Sequence, residues 1–207
     1  ALDAQGRLVV CQHGNRQIVR VDWKDGRWTT LAAYYKYLSL NSPNDLAFKS
    51  NGDLYFTDPP YGLTGLNNNP SKELLFNGVF RASPSGLVTL MSDELTFPNG
   101  IAFSPDENFL YVAVSDPENP VIMVYNVWYD GTIGNAKVFF DAKPLMKDGR
   151  KGLPDGLKVD ELGNVFATGP GGVLVLNPEG KLLGTINTGE ATANCAWGND
   201  GSILYIT

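Results

Sequence analysis

The sequence predicts an all-β protein, a six-bladed β-propeller, and three observations lead to that prediction. Short apolar runs alternate with polar turns along the chain, and one strand–turn–strand phrase occurs five times, once without its first strand. The 207 residues include 23 glycines and 13 prolines, a content that favours frequent turns over long helices.

The repeated phrase sets the expected architecture. Its complete copies start at Asn44, Asn99, Asp155 and Asn194, at spacings of 55, 56 and 39 residues, and a copy without its opening strand covers 1–10. A unit of about 40–50 residues with four strands is typical of a propeller blade. A β-sandwich is the alternative, but it gives no reason for the same phrase to return at equivalent positions.

Further strands complete each repeat. They are predicted at 17–21, 78–82, 121–125 and 172–176, and hairpin turns are predicted after them at 24–26, 83–86, 129–131 and 177–180. A six-bladed wheel needs roughly 240–300 residues. We therefore expect 1–207 to be a single, incomplete propeller domain, an excerpt that lacks about one blade and the closing strand.

Composition excludes several classes of function. Lys and Arg number 16 against 22 Asp and Glu, a net charge of −6, so no basic surface is expected for nucleic acid. No apolar run approaches the roughly 20 residues that span a bilayer, so the sequence predicts a soluble protein without a membrane partner, cytoplasmic or exported. The single histidine, His13, excludes centres that need two or three imidazoles. Cys11 and Cys195 are predicted to be core residues.

The repeat starts are the candidate site. In a propeller, equivalent positions of successive blades converge near one end of the axis, and Asn44, Asn99 and Asp155 each follow a proline. Any one of these motifs alone is commonly a turn. Three in equivalent positions predict oxygen ligands for a hard cation such as calcium or magnesium.

Several phrases then point to a family. They are Cys-Gln-His-Gly-Asn-Arg at 11–16, Asn-Ser-Pro-Asn-Asp at 41–45, Phe-Thr-Asp-Pro-Pro-Tyr-Gly at 56–62, Phe-Pro-Asn-Gly at 97–100, Pro-Asp-Gly at 154–156 and Asn-Cys-Ala-Trp-Gly at 194–198. In this order they resemble the gluconolactonase branch of the senescence-marker-protein/gluconolactonase/luciferin-regenerating-enzyme family. The resemblance implies a six-bladed propeller that hydrolyses a sugar lactone with one divalent cation in its central channel.

The resemblance also implies roles for individual residues. Asn99 and Asp155 match metal ligands, and Asn44 matches a channel position that faces the metal or the substrate. The remaining ligand of the family, a glutamate, has no match and is expected before Ala1. Calcium is the favoured ion, with magnesium, zinc and manganese as alternatives. Many relatives carry Glu where Gln12 stands.

The predicted chemistry is attack of water on a lactone carbonyl polarised by the cation. Asp155 is predicted to ligate the metal and to orient or deprotonate the water. His13 and Asp45 are candidates for substrate binding, although a structural histidine and a turn aspartate are the alternatives.

Two further features and two other functions complete the predictions. Asp58 is predicted to cap a strand end, and 61–70 to form a polar loop over the channel mouth. A metal-dependent phosphotriesterase and a non-catalytic binding propeller remain alternatives, because fold alone does not determine function.

Overall fold

A computed structural model describes residues 1–147, 149–198 and 200–207. They divide into two compact units, Ala1–Pro98 and Asn99–Thr207. The single domain expected from the sequence stays a prediction. Nearly all regular structure in the described residues is β, as predicted.

The first unit consists of three small sheets. Its strands are β1 (Leu8–Gln12), β2 (Gln17–Val21) and β3 (Trp28–Ala32) in one sheet, the hairpin β4 (Tyr34–Tyr35) and β5 (Leu38–Ser39), and β6 (Leu46–Phe48), β7 (Leu54–Asp58), β8 (Gly78–Ala82) and β9 (Val88–Ser92) in the third. A 3-10 helix, Leu66–Asn68, interrupts the long connection between β7 and β8.

The second unit repeats the four-stranded sheet twice. Its strands are β10 (Pro98–Phe103), β11 (Phe109–Val114), β12 (Val121–Val127) and β13 (Ile133–Asp141), then β14 (Leu157–Val159), β15 (Val165–Gly169), β16 (Gly172–Leu176) and β17 (Leu182–Asn187), and finally the pair β18 (Cys195–Gly198) and β19 (Ile203–Ile206). One turn of helix, α1 (Lys143–Met146), follows β13.

Each four-stranded sheet has the features of a propeller blade. The strands pair in chain order, so every connection within a sheet is a simple hairpin. The second strand of each sheet is largely buried and the fourth is more exposed, as β15 and β17 show. Each four-stranded sheet also has a β-bulge or register shift between its third and fourth strands, near the start of the third strand at Val79/Phe80 and Ile122/Met123 and at its end at Val175/Leu176.

The predicted strands and turns are confirmed locally. The predicted strands 17–21, 78–82 and 172–176 coincide with β2, β8 and β16, and the strand predicted at 121–125 continues to Val127 as β12. Each predicted hairpin turn has its glycine at positive φ, a conformation that side chains disfavour, in Gly26, Gly86, Gly131 and Gly180.

Aliphatic side chains form most of the buried cluster in each unit. In the first, the cluster also contains two aromatic rings, and Phe56 stacks on Phe80 with ring centroids 5.4 Å apart and an interplanar angle of 20°. In the second, aliphatic side chains such as Leu157, Val165 and Leu176 form most of the fully buried cluster. Full burial of a side chain of this size contributes about 1.5–3 kcal/mol. None of the helices in the described residues is long and apolar enough to cross a membrane.

Candidate functional site

The backbone hydrogen bonds confirm that Asn44 and Asp155 occupy equivalent positions. The Asn44 N–H donates to the Thr57 carbonyl at 2.9 Å, and the Asp155 N–H donates to the Thr168 carbonyl at 3.2 Å. Each residue lies two positions before the first strand of its sheet, since β6 begins at Leu46 and β14 at Leu157. Asn99 is the second residue of β10, which begins at Pro98, and its Pro-Asn-Gly phrase matches Pro-Asp-Gly at 154–156.

The fourth predicted repeat start is wrong by one residue. The Thr207 N–H donates to the Asn194 carbonyl, whereas the corresponding Thr168 N–H donates to the Gly156 carbonyl, both at 2.9 Å. Asn194 is therefore equivalent to Gly156, and Ala193 is equivalent to Asp155. Alanine has no side-chain oxygen, so this repeat offers no ligand at the position that Asp155 occupies.

In the second unit, the loops that carry Asn99 and Asp155 lie side by side. A Cβ atom added to Gly100 would lie only 2.1 Å from the Asp155 carbonyl oxygen, so the two backbones approach as only glycine permits. The Asn99 Nδ2 donates to Ser115 Oγ at 2.8 Å, and Ser115 Oγ donates in turn to the Pro154 carbonyl oxygen. Asn99 is 5% exposed, and Asp155 is partly exposed. The structure thus brings two of the three predicted ligands together in one unit.

The first unit places His13 beside the segment that leads into Asn44. His13 follows β1, and a Cβ atom on Gly62 would lie 2.8 Å from both the His13 Cβ and the Ser42 Cβ. Burial lowers the pKa of the His13 imidazole, which favours its neutral form. A neutral imidazole can donate one hydrogen bond and accept another.

The predicted substrate-binding aspartate, Asp45, makes a local contact. Its Oδ1 accepts the N–H of Leu46 at 2.8 Å, and its own N–H donates to Thr57 Oγ1 at 3.2 Å. This geometry is that of a residue that shapes its own turn, the alternative function anticipated from the sequence.

Asp58 is buried at the end of β7. Its Oδ2 accepts the Asn41 N–H at 2.7 Å, and its backbone carbonyl accepts the Asn41 Nδ2 at 2.9 Å. Burial raises the pKa of the Asp58 carboxyl to about 7, although the Asn41 and Ser42 N–H groups lower it. The placement agrees with the predicted strand-end role.

The predicted loop 61–70 is anchored on both sides. The Gly62 N–H donates to Ser42 Oγ at 2.8 Å, and Asn77 Nδ2 donates to Asn67 Oδ1 at 3.1 Å. Tyr61 stacks on Phe97 with centroids 6.1 Å apart. Gln12 accepts hydrogen bonds at its Oε1 from Asn15 and Gln17 of its own hairpin.

The donor set in the second unit fits a hard cation. In the described part of the chain, no three His, Cys, Asp or Glu side chains cluster so that they could hold a metal ion. A metal centre held by these residues would also use amide oxygens, and the adjacent loops that carry Asn99 and Asp155 supply one amide and one carboxylate. Calcium takes about six to eight such oxygen ligands, and magnesium also prefers oxygen.

Sequence reasoning missed Ser115, which joins the loops that carry Asn99 and Asp155. The residue follows β11, and the positions after the corresponding strands hold Pro59 and Pro170. Because the serine does not recur in the repeat, the pattern that identified Asn99 and Asp155 could not identify it.

Known proteins share both the sequence and the fold. Residues 1–207 match the family model described as the SMP-30/Gluconolactonase/LRE-like region. A gluconolactonase from Zymomonas mobilis is 42% identical over 205 residues, which cover 98% of this chain and 58% of that protein. The chain thus spans somewhat over half the length of that relative.

Solved structures of other proteins share the fold of this chain. That of a gluconolactonase from Xanthomonas campestris aligns with a TM-score of 0.87 at 38% identity and covers 100% of this chain and 67% of that one. A calcium-binding protein, regucalcin, from Agrobacterium tumefaciens aligns with a TM-score of 0.77 at 23% identity over 100% of this chain and 66% of that one, a likeness of fold alone. From the match over its whole length, the chain belongs to the SMP-30/gluconolactonase/LRE-like family.

Proposed function

We propose that this chain forms most of a six-bladed propeller enzyme, a metal-dependent lactonase that hydrolyses a sugar lactone such as gluconolactone. The adjacency of the Asn99 and Asp155 loops is the observation that carries the proposal, because it offers oxygen donors from two neighbouring sheets at one place. The 42% identity with a gluconolactonase supports the choice of substrate class.

Asn99 and Asp155 are the residues that would hold the cation. A bound divalent ion would supply positive charge to stabilise the oxyanion that develops when water attacks the lactone carbonyl. With Asp155 and the further glutamate that the family resemblance implies, two carboxylates and neutral amides would not over-compensate such a charge, which favours its action on the substrate as a Lewis acid. Asn44 is proposed as a further ligand from its repeat position alone.

Asp155 has a second proposed task, to orient the attacking water and accept its proton. A carboxylate beside a dication is a weaker base than a free one, because the positive charge lowers its pKa. Orientation is therefore the larger part of the task. His13, neutral at pH 7, and Asp45 are proposed to hydrogen-bond the hydroxyl groups of the sugar lactone.

The main test is lactone hydrolysis by the full-length protein before and after chelation. We expect EDTA to abolish hydrolysis of glucono-δ-lactone, and calcium, magnesium, zinc or manganese, each added back alone, to show which ion restores it. Parallel assays on an organophosphate ester distinguish a lactonase from a phosphotriesterase. Lactonase activity that survives complete metal removal would refute the proposal.

The second test is Asp155→Ala. We expect turnover to fall by on the order of a hundredfold or more, while the far-ultraviolet circular dichroism spectrum stays unchanged. Asp160→Ala is the matched control: Asp160 directly follows β14, the strand that Asp155 precedes, and its Oδ1 accepts the N–H groups of Leu162 and Asn164 in a turn. This control should lower stability and leave turnover intact. Retained activity in Asp155→Ala would refute the role of Asp155.

A further inference from the structure

A short chain of hydrogen bonds links the two proposed ligand loops in the second unit. The Asn99 Nδ2 donates to Ser115 Oγ at 2.8 Å, and the Ser115 hydroxyl donates to the carbonyl oxygen of Pro154, the residue before Asp155. Ser115 itself is partly buried, directly after β11. A single hydroxyl therefore touches one ligand side chain and the backbone that carries the other.

The direction of these hydrogen bonds determines how the Asn99 amide is turned. The Pro154 carbonyl can only accept, so the single proton of the Ser115 hydroxyl is committed to it. The hydroxyl can then only accept from Asn99, and the amide must present its NH₂ group to Ser115. An amide turned by 180° would place Oδ1 against the Ser115 oxygen, and two acceptors would face each other. The amide oxygen is thereby held on the side away from Ser115.

We propose that Ser115 is a positioning residue that presents the Asn99 amide oxygen to the cation. The inference rests on the proposed function and deepens it, because an amide can serve a metal only through its oxygen. Ser115 does not touch the ion or the substrate. It selects the orientation of Asn99 before the ion arrives, and it links that orientation to the loop of Asp155.

A purely structural function is the competing explanation, and affinity for the ion separates the two. The close approach of Gly100 to Asp155 already joins these loops through the backbone, whether or not the hydroxyl is present. Loss of a structural hydroxyl would lower stability alone. Loss of a positioning hydroxyl would lower affinity for the ion, because the amide would no longer be held with its oxygen in place.

The experiment measures calcium affinity of the full-length protein by isothermal titration calorimetry. We expect Ser115→Ala to raise the Kd for calcium about tenfold or more, the usual effect of removing a group that orients a metal ligand. Ser115→Thr keeps the hydroxyl and should bind calcium within about threefold of the unchanged protein.

Ser104→Ala is the matched control. Ser104 Oγ donates to Asp106 Oδ1 at 2.6 Å and accepts the Phe109 N–H at 3.0 Å, so this change also removes two hydrogen bonds, in the turn between β10 and β11. It should lower the melting temperature and leave the Kd for calcium unchanged. If Ser115→Ala does not fold, Ser115→Cys takes its place, because a thiol fills the space but is a weak acceptor.

A double-mutant cycle provides the decisive comparison. If Ser115 acts through Asn99, Ser115→Ala should cause no further loss of affinity in the Asn99→Ala background. An unchanged calcium Kd in Ser115→Ala and Ser115→Cys, in a protein that binds calcium and hydrolyses lactone, would overturn the positioning role and leave the proposed function standing. Failure of the unchanged protein to bind any divalent ion would overturn the proposed function itself.

Discussion

The two units use the same first position of the repeat but different second positions. In the first unit, Asn44 is followed by Asp45, whose carboxylate turns back to accept the N–H of Leu46. In the second unit, Asn99 and Asp155 are followed by Gly100 and Gly156, and the space that a side chain would fill is taken by the next repeat along the chain.

The first and second positions of the motif therefore have different constraints on their residue type. The first position carries a side-chain oxygen at Asn44, Asn99 and Asp155, but not at Ala193. The residue type at the second position depends on its surroundings. Glycine occurs where a neighbouring loop approaches closely, and a short polar residue occurs where its side chain accepts a nearby backbone N–H. Asn194 follows the same rule, since it is equivalent to Gly156 and its Oδ1 accepts the N–H of Cys195 at 2.8 Å.

The largest effect is expected from Gly100→Ala, which forces a side chain into the close approach. The new Cβ would lie 2.1 Å from the carbonyl oxygen of Asp155, a backbone atom that cannot turn away. We expect a loss of at least about 3 kcal/mol in the free energy of unfolding, measured by urea denaturation. Gly184→Ala in β17 is the control, because a Cβ there meets nothing within 4 Å, and it should be nearly neutral.

Gly156→Ala tests whether the contact atom decides the cost. Its Cβ would lie 2.2 Å from the Cγ of Asn194, a side-chain atom that a second mutation can remove. Asn194→Ala should therefore recover part of the stability lost in Gly156→Ala, whereas it should recover none of that lost in Gly100→Ala. Equal recovery in both backgrounds would contradict the distinction between side-chain and backbone contact.

A smaller effect is expected in the pH dependence of stability. The first unit contains a carboxyl group whose pKa is raised, and the second contains one whose pKa is lowered. Burial raises the pKa of Asp58 in the first unit from 3.8 to about 7, so the folded chain holds a proton that the unfolded chain releases. This group's contribution to stability is complete below pH 3.8 and is lost as the pH rises through about 7. In the second unit, a hydrogen bond from Ser104 holds the pKa of Asp106 below 3.8, so the contribution of Asp106 to stability is lost as the pH falls.

Asp58→Asn should remove most of the stability loss that accompanies the rise from pH 5 to pH 8. Between pH 5 and pH 8 the unchanged protein should lose on the order of 2 kcal/mol through Asp58, and the variant should lose much less. Urea denaturation at several pH values measures the slope. Asp106→Asn, the counterpart in the second unit, should leave the slope above pH 5 unchanged. The same slope in Asp58→Asn as in the unchanged protein would show that another group is responsible.

The sequence predicts local structure and equivalent positions well, because both follow from short-range patterns. The alternation of apolar runs and polar turns predicts the strand at 78–82, and the turn-forming residues after it predict the turn that contains Gly86. The sequence predicts the fourth repeat start one residue too late, because no proline precedes Asn194 to mark the position and its asparagine matches Asn44 and Asn99. The burial of Asp58 and the link through Ser115 depend on contacts 17 and 39 residues away, which no local pattern encodes.

The smallest effect is expected at Asp45, where stability and substrate binding can be separated. Asp45→Ala should cost about 1 kcal/mol through loss of the hydrogen bond to Leu46, while Asp45→Asn keeps an acceptor oxygen and should cost little. If Asp45 also binds the lactone through its charge, Asp45→Asn should raise KM without lowering stability. An unchanged KM in a stable Asp45→Asn would restrict this residue to shaping its turn. The second position of the motif would then be structural in both units, and the chemistry would depend on the first position alone.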